Sequence, residues 1–362
     1  VRDGPTGVLL VNLGTPDAPQ TAEVRRYLRE FLSDPRVIDI NPVVRWFILN
    51  LFILPMRPRR SAEAYRKVWT DEGSPLLVHG NALLDGVRKQ LSEPDFHVEL
   101  AMRYGNPSMK SGMQKLLDRG CDQLVVFPLY PQFASSTTGS TVEHAWRVAS
   151  ELWNTPFINV VPAFYDDPRF VEAFVQVARK QLDELDPDHV LFSFHGLPER
   201  HIRKSDPSGK HCLATEDCCA SMCEANRNCY RAQCFATARA IAVKLGLDDA
   251  KFDVAFQSRL GRDPWIQPYT DETVKGLPKK GRKRLAVFCP AFVADCLETI
   301  EEIGMEARDL FLEGGGEDFA LIESLNAHQA WIDAVVSLTR DCVNTRRPAL
   351  PPAKGEDEAQ AV

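Results

Sequence analysis

The segment Ser193-Phe194-His195-Gly196-Leu197-Pro198 sets an imidazole directly after an apolar run. Gly196 frees the backbone for a sharp turn, and Pro198 stiffens the exit. Such a turn presents His195 at the carboxyl edge of a sheet. There an imidazole can accept protons near neutral pH or ligate a divalent metal. A turn histidine satisfied by hydrogen bonds fits the same pattern. Farther along, Asp295, Glu298 and Glu302 are spaced i, i+3 and i+7, which puts three carboxylates on one face of an α-helix. Asp295 is also placed to cap that helix. The face reads either as a solvated acidic stripe or as a rail that receives protons or passes a cation.

Six cysteines, Cys212, Cys218, Cys219, Cys223, Cys229 and Cys234, crowd into one short stretch. No interval is C-x2-C, so the usual zinc spacing is absent, whereas Cys229 and Cys234 form a C-x4-C pair of the kind iron–sulfur sites use. The crowding reads as a metal or cluster site, with any four of the six as ligands. The hydroxyl-rich run Ser135-Ser136-Thr137-Thr138-Gly139-Ser140 precedes a helical pattern. It can hold a carboxylate or phosphate through free amides, or simply cap the helix. Neither GxxxxGK[ST] nor GxGxxG occurs, so neither ATP nor NAD is inferred.

The elements that must position these residues alternate. Short apolar strand patterns run over Gly7–Leu13, Val98–Tyr104, Gln123–Leu129, Phe157–Pro162, His189–Phe194, Phe252–Gln257 and Arg284–Cys289. Helical patterns lie between them, including Asn81–Leu91 and Cys296–Phe311. This is the signature of an α/β fold with doubly wound parallel sheets. The run Val8–Asp17 echoes Val190–Glu199, each an apolar strand followed by Gly-x-Pro and an acid. The echo predicts two similar Rossmann-like domains, with ligands in a cleft beyond the carboxyl ends of the strands. The expected division is 7–160, then 161–324 with a cysteine-rich insert at 207–234. A C-terminal helix at 325–345 packs back, and 346–362 is a disordered tail.

With 362 residues the chain has room for about two domains. A net charge of −7 argues against a whole-surface nucleic-acid binder. Ten cysteines without a signal peptide at the start point to a reducing cytosol, with thiols serving as ligands or buried groups. The longest apolar run, Val43–Leu54, falls short of the roughly 20 residues that span a bilayer. Arg57, Arg59, Arg60, Arg66 and Lys67 follow it. The run is therefore a buried helix with a basic end, or a lip (43–60) that docks on an anionic membrane surface.

Taken together, Asn12–Pro16, Tyr130–Phe133 with Ser136–Ser140, Ser193–Pro198, Gln257–Gly261 with Pro264-Trp265, and Asp295–Thr299 resemble the ferrochelatase family. The motifs stand in the family's order across about residues 7–342. The resemblance implies two Rossmann-like domains around a porphyrin cleft and insertion of Fe2+ into protoporphyrin IX, giving protohaem and two protons. That makes it a lyase of terminal haem biosynthesis whose substrates are porphyrin and Fe2+. It implies His195 and Glu298 as facing catalytic or iron-handling groups, with Asp295 and Glu302 continuing the acidic path. Tyr65, Arg103, Tyr104, Trp265, Ser136 and Thr137 would line the substrate's approach. The lip 43–60 resembles the family's apolar porphyrin entrance, so a cytoplasmic protein in peripheral contact with a membrane is expected.

An animal-type [2Fe–2S] cluster is excluded, because Ser135 stands at its early ligand position and only Cys342 lies near the end of the chain. The insert instead resembles the internal cysteine segment of some bacterial members. A [2Fe–2S] cluster on Cys212, Cys219, Cys229 and Cys234 is expected, with Cys218 and Cys223 as substitutes. Its purpose is not legible in the sequence; stabilising the loop beside His195 is one hypothesis. Cys296 stands where animal enzymes carry histidine. The competing readings are a chelatase for another metal or for coproporphyrin, and a non-catalytic haem or iron–sulfur sensor or carrier.

Overall fold

The computed structural model describes residues 4–92, 95–261 and 263–344. The expected tail at 346–362 lies outside the described residues. Two four-stranded parallel sheets carry the fold. The first contains β1 (Thr6–Thr15), β2 (Phe96–Gly105), β3 (Gln123–Pro128) and β4 (Phe157–Val160), in the order β2-β1-β3-β4. The second contains β5 (His189–His195), β6 (Phe252–Gln257), β7 (Arg284–Phe288) and β8 (Asp318–Leu321), in the order β6-β5-β7-β8. The two orders are the same, so the echo between Val8–Asp17 and Val190–Glu199 falls on the equivalent strands β1 and β5. The short β8 was not anticipated; its four residues carry too weak a pattern.

Central parallel strands are buried on both faces, which is why they read as unbroken apolar runs. In β1, Val8 and Leu10 pack with Leu100 and Phe127, while Leu9 and Val11 pack on the opposite face with Met113 and Val126. Gly14 ends this strand with φ 121°, and a Cβ there would come within 1.9 Å of the Tyr104 carbonyl oxygen. Only glycine lets β1 and β2 stay paired to their carboxyl ends.

The helices around the first sheet are α1 (Thr21–Ser33), α2 (Pro42–Phe47), α3 (Leu54–Val68), α4 (Pro75–Gln90), α5 (Met109–Asp118) and α6 (Ser140–Ser150). The second sheet is flanked by α7 (Pro168–Leu185), α8 (Glu199–Lys204), α9 (Tyr230–Leu245), α10 (Thr270–Gly276), α11 (Arg308–Glu313) and α12 (Gln329–Asn344). Helix α4 starts six residues before the expected Asn81, because Pro75 is preorganised for the first helical position. Helix α12 returns to the first sheet. Trp331 is fully buried there among Phe127, Phe164 and Phe170, with ring centroids 5.7–6.5 Å apart.

Three segments wind as π-helix: Ile48–Ile53, Ser135–Gly139 and Glu298–Ala307. All three fall in stretches singled out above for chemistry, as π-turns often do. The expected α-helix Cys296–Phe311 is therefore mostly π, followed by α11. The lip is not a buried helix. Helix α2 has no buried residue, and in the π-turn after it only Leu49 is buried.

Candidate active site

The carboxyl ends of β5 and β6 build one wall. Strand pairing continues to His195↔Gln257, and the Gly196 amide donates to the Gln257 carbonyl at 2.8 Å. A Cβ on Gly196 would meet that carbonyl at 2.8 Å and the Trp265 ring at 3.1 Å, so the turn requires glycine. His195 Nδ1 lies 2.6 Å from the Gly196 carbonyl oxygen. A carbonyl only accepts, so in the neutral ring Nδ1 carries the proton and Nε2 keeps its lone pair. Trp265 and Phe292 flank the imidazole with centroids 6.4 Å away. Trp265 is itself fixed by donating Nε1–H to the Leu260 carbonyl at 2.8 Å.

The π-helix faces this wall. Glu302 Oε1 accepts the Ser258 amide at 2.7 Å, and Oε2 accepts the Ser258 hydroxyl and Gln257 Nε2. Ser258 reaches it from the left-handed region, at φ 65°. Burial pushes the Glu302 carboxyl above its ordinary value, and Glu298 adds to the rise. The bonds from Ser258 and Gln257 and the neighbouring His195 pull the other way. Gln257 also donates Nε2–H to the Glu298 carbonyl at 2.8 Å and accepts the Ser193 hydroxyl on Oε1 at 2.8 Å. One glutamine thus locks strand and π-helix together. A π-helix closes i→i+5 bonds, so its turn holds more than 3.6 residues. Residues four apart share a face in this winding as in an α-helix, so Glu298 and Glu302 stand on one side.

Asp295 departs from the expected capping role. It accepts the Thr299 hydroxyl at 3.0 Å, Asn326 Nδ2 at 2.8 Å and the Ser324 amide at 3.3 Å, rather than free helix amides. Its carboxylate anchors the start of the π-helix to the loop after β8. The Glu298 carboxylate pushes up the Cys296 thiol and the Tyr65 phenol and favours the charge on Arg57. Burial first, then Glu298 and Cys296, push the Tyr65 phenol far up, so it stays protonated as a donor. Arg57 was read only as part of a basic surface. The fold brings its charge within electrostatic reach of Glu298 and Tyr65, and no feature of the sequence separates it from Arg59 or Arg60.

The first sheet supplies the opposite wall. Arg103 donates to Asp34 Oδ2 at 2.6 Å and to the Ser140 hydroxyl at 2.8 Å. Tyr104 and Ser140 donate to the same Asp34 oxygen at 2.9 and 2.6 Å. Arg103 also stacks over the Tyr104 ring at 4.3 Å. All four residues are buried. Asp34 was missed, because Ser33-Asp34-Pro35 reads as an ordinary helix end. Ser136 and Thr137 lie in the π-turn before α6, whose Ser135 hydroxyl accepts Arg36 Nη1 at 2.9 Å. Among the described contacts, neither touches His195 or the acidic pair. Cross-links join the walls: Lys67 to Glu301 at 2.6 Å, Gln132 to Thr237 at 2.9 Å, and the Phe133 amide to Gln233 at 2.6 Å.

Beside the His195 wall, the insert gathers thiols. Cys218 and Cys219 Sγ are 3.8 Å apart, and Cys229 lies near enough to Cys212 and Cys219 to perturb both thiols. All four are buried. Arg231 Nη1 lies 3.2 Å from Cys219 Sγ, and the Leu213 amide donates to Cys218 Sγ at 3.4 Å. Cys223 is exposed, 3.6 Å from His211 Nε2. Cys234 lies within α9, where its thiol bonds with the Tyr230 hydroxyl. That hydroxyl donates to the His195 carbonyl at 2.9 Å.

A family model described as Ferrochelatase matches residues 5–342. The chain is 48% identical over 334 residues to a ferrochelatase of Coxiella burnetii, covering 92% of this chain and 93% of that one. It is 48% identical over 332 residues to a ferrochelatase of Pseudomonas fluorescens, covering 91% and 96%. In structure it resembles SirB from Bacillus subtilis with Fe3+, at TM-score 0.55 and 14% identity, covering 94% and 97% of the two chains; that likeness supports the chelatase-like fold alone. The chain therefore belongs to the ferrochelatase family, whose enzymes insert Fe2+ into a porphyrin in haem biosynthesis.

Proposed function

We propose that the chain is a lyase that inserts Fe2+ into protoporphyrin IX, releasing the two pyrrole N–H protons and giving protohaem. The observation that carries the mechanism is the orientation of His195, with Glu302 held by Gln257 and Ser258 at the strand end that pairs with it. His195 Nδ1–H is committed to a carbonyl, so Nε2 is the free acceptor for a pyrrole proton. Glu302, its carboxyl pushed up by burial, is the next station for the proton. Glu298 lies nearer the Tyr65 side and handles the incoming cation. Arg57 is the cation suited to a substrate carboxylate. Loss of porphyrin fluorescence in an anaerobic single turnover with Fe2+ tests this. A His195→Ala variant that metallates at the wild-type rate sinks it. Comparing kcat/KM for protoporphyrin and coproporphyrin tests the substrate choice, which the apolar lip favours as protoporphyrin.

Peripheral membrane contact belongs to the same reading. Trp46, Phe52 and Met56 are 57%, 59% and 68% exposed, beside the basic end of the lip. No helix among the described residues is long and apolar enough to cross a membrane. Co-sedimentation with anionic vesicles, lost in Phe52→Asp, is the expected result.

A [2Fe–2S] cluster also fits the residues present. Among the described residues, no three His, Cys, Asp or Glu groups stand arranged as they are for a metal ion. Yet four buried thiols meet, with Arg231 and the Leu213 amide aimed at sulfur, as thiolates require. The proposed ligands are Cys212, Cys218, Cys219 and Cys229; Cys218 replaces Cys234, whose thiol is engaged by Tyr230. When bound, the group supplies a redox-active cross-link. Cys218→Ser should abolish the visible cluster absorption of anaerobically purified protein, and Cys234→Ser should retain it. The reverse pattern refutes the ligand set.

A further inference from the structure

The root of the lip is tied to the His195 wall by charges far apart in sequence. Asp39 sits in the turn between α1 and α2, two residues before Asn41, whose side chain caps α2 through the Val43 amide at 3.0 Å. The Asp39 carboxylate leaves its own half of the chain and enters α8, which begins four residues after His195. Oδ1 accepts Arg200 Nε at 2.5 Å and lies 2.9 Å from His201 Nε2, while Oδ2 accepts Lys204 Nζ at 2.6 Å. Arg200 reaches on to Asp263, in the loop that carries Trp265. Arg45 of α2 donates to the Ile38 carbonyl at 3.1 Å, so the exposed helix is fastened to the same turn. Burial alone would raise the Asp39 carboxyl, but Lys204, His201 and Arg200 hold it well below the ordinary range.

The asymmetry of the surroundings gives these ties a role. From Pro42 to Phe52 the segment is apolar and largely exposed, with Leu49 its one buried residue, so this stretch has little of its own to hold it in place. A mostly buried carboxylate with two cationic partners, Arg200 and Lys204, and an imidazole at 2.9 Å fixes an orientation more firmly than an exposed pair does. We propose that Asp39 is a latch, a positioning residue that seats the lip on the wall bearing His195 and governs how fast porphyrin enters and leaves the cleft, leaving the metallation step alone. This rests on the reading of 43–60 as the substrate entrance.

The test is Asp39→Asn in the full-length protein, which keeps the shape and removes the charge. Removing one partner of a buried charge pair acts chiefly on dissociation, so porphyrin should pass from enzyme to excess phospholipid vesicles about ten-fold faster. Hydrogen exchange should speed up across 37–53 and stay unchanged in β5. Single-turnover metallation of prebound porphyrin should remain within about two-fold, since no reacting group is touched. Lys204→Met removes one exposed partner and should shift dissociation in the same direction, by about two- to three-fold; it keeps the proposal testable if Asp39→Asn fails to fold. Unchanged exchange across 37–53 overturns the latch. Faster exchange with unchanged porphyrin transfer overturns its control of substrate. Phe52→Asp then distinguishes the cause: if it slows porphyrin capture, the entrance reading stands and the latch alone has failed.

Discussion

The two sheets share one strand order, yet their carboxyl ends do opposite things. At the first, a buried carboxylate, Asp34, is saturated by Arg103, Tyr104 and Ser140. At the second, His195 Nε2 has no hydrogen bond among the described contacts, and burial raises the Glu302 carboxyl that Ser258 and Gln257 hold. The first end spends its charges on each other and is rigid. The second leaves one acceptor open, as the proposed proton transfer requires. A duplicated scaffold therefore does not duplicate chemistry; what differs is whether the polar groups at the strand ends are fully paired.

The sharpest way to break this contrast is His195→Ala. It should lower kcat about 10²–10⁴-fold with little change in thermal stability. Asp34→Asn should do the reverse. Stranding Arg103 in the interior costs about 3–5 kcal/mol, read as a lower midpoint in denaturant, while activity per folded molecule stays within about three-fold. If Asp34→Asn instead removes activity without loss of stability, the two ends are more alike than the contacts suggest.

Glu302→Gln sharpens the reactive side. A raised carboxyl gains its proton at higher pH than usual, so wild-type kcat should fall as pH drops through a value above 4.5. The glutamine variant should lose that acid limb and run at a plateau about ten-fold lower, less than a primary acceptor is worth. The smallest effect is expected at the rigid end. Burial, then Arg103 and Arg147, push His144 down from 6.5 to about 4. Below pH 6.5 the unfolded chain takes up a proton that the folded one refuses, so stability falls from pH 6.5 to about 4 and levels off beneath. His144→Gln should flatten that slope by at most about 1.4 kcal/mol per pH unit, checked by urea melts across the window.

Much of the site was legible because strand ends punctuate themselves. A Gly after an apolar run marks a turn, and His195 before Gly196 had to stand at a sheet edge. The three-carboxylate face was legible only in part. Glu298 and Glu302 stay on one side of the π-helix, whereas Asp295 lies before it and is bonded to Asn326 and Thr299. A π-turn arises from packing at its two ends and has no composition signal of its own. The cysteine segment announced a site but not its members, because the meeting of Cys218 with Cys219, Cys229 and Cys212 depends on how the loop folds.

The sequence by itself determined the parallel α/β class, the repeated strand-turn pattern, the family, and the residue types available at each turn. Those follow from short-range periodicity and from backbone limits on glycine and proline, which act within a few residues. Only the tertiary structure decided which charges are paired off and which stay free. Asp34 met Arg103, Asp39 met Arg200, and Arg57 came within electrostatic reach of Glu298, across separations of 69, 161 and more than two hundred residues. Whether a charge is neutralised or left to react depends on the dielectric and the partners around it, and these exist only once the two halves have closed on each other.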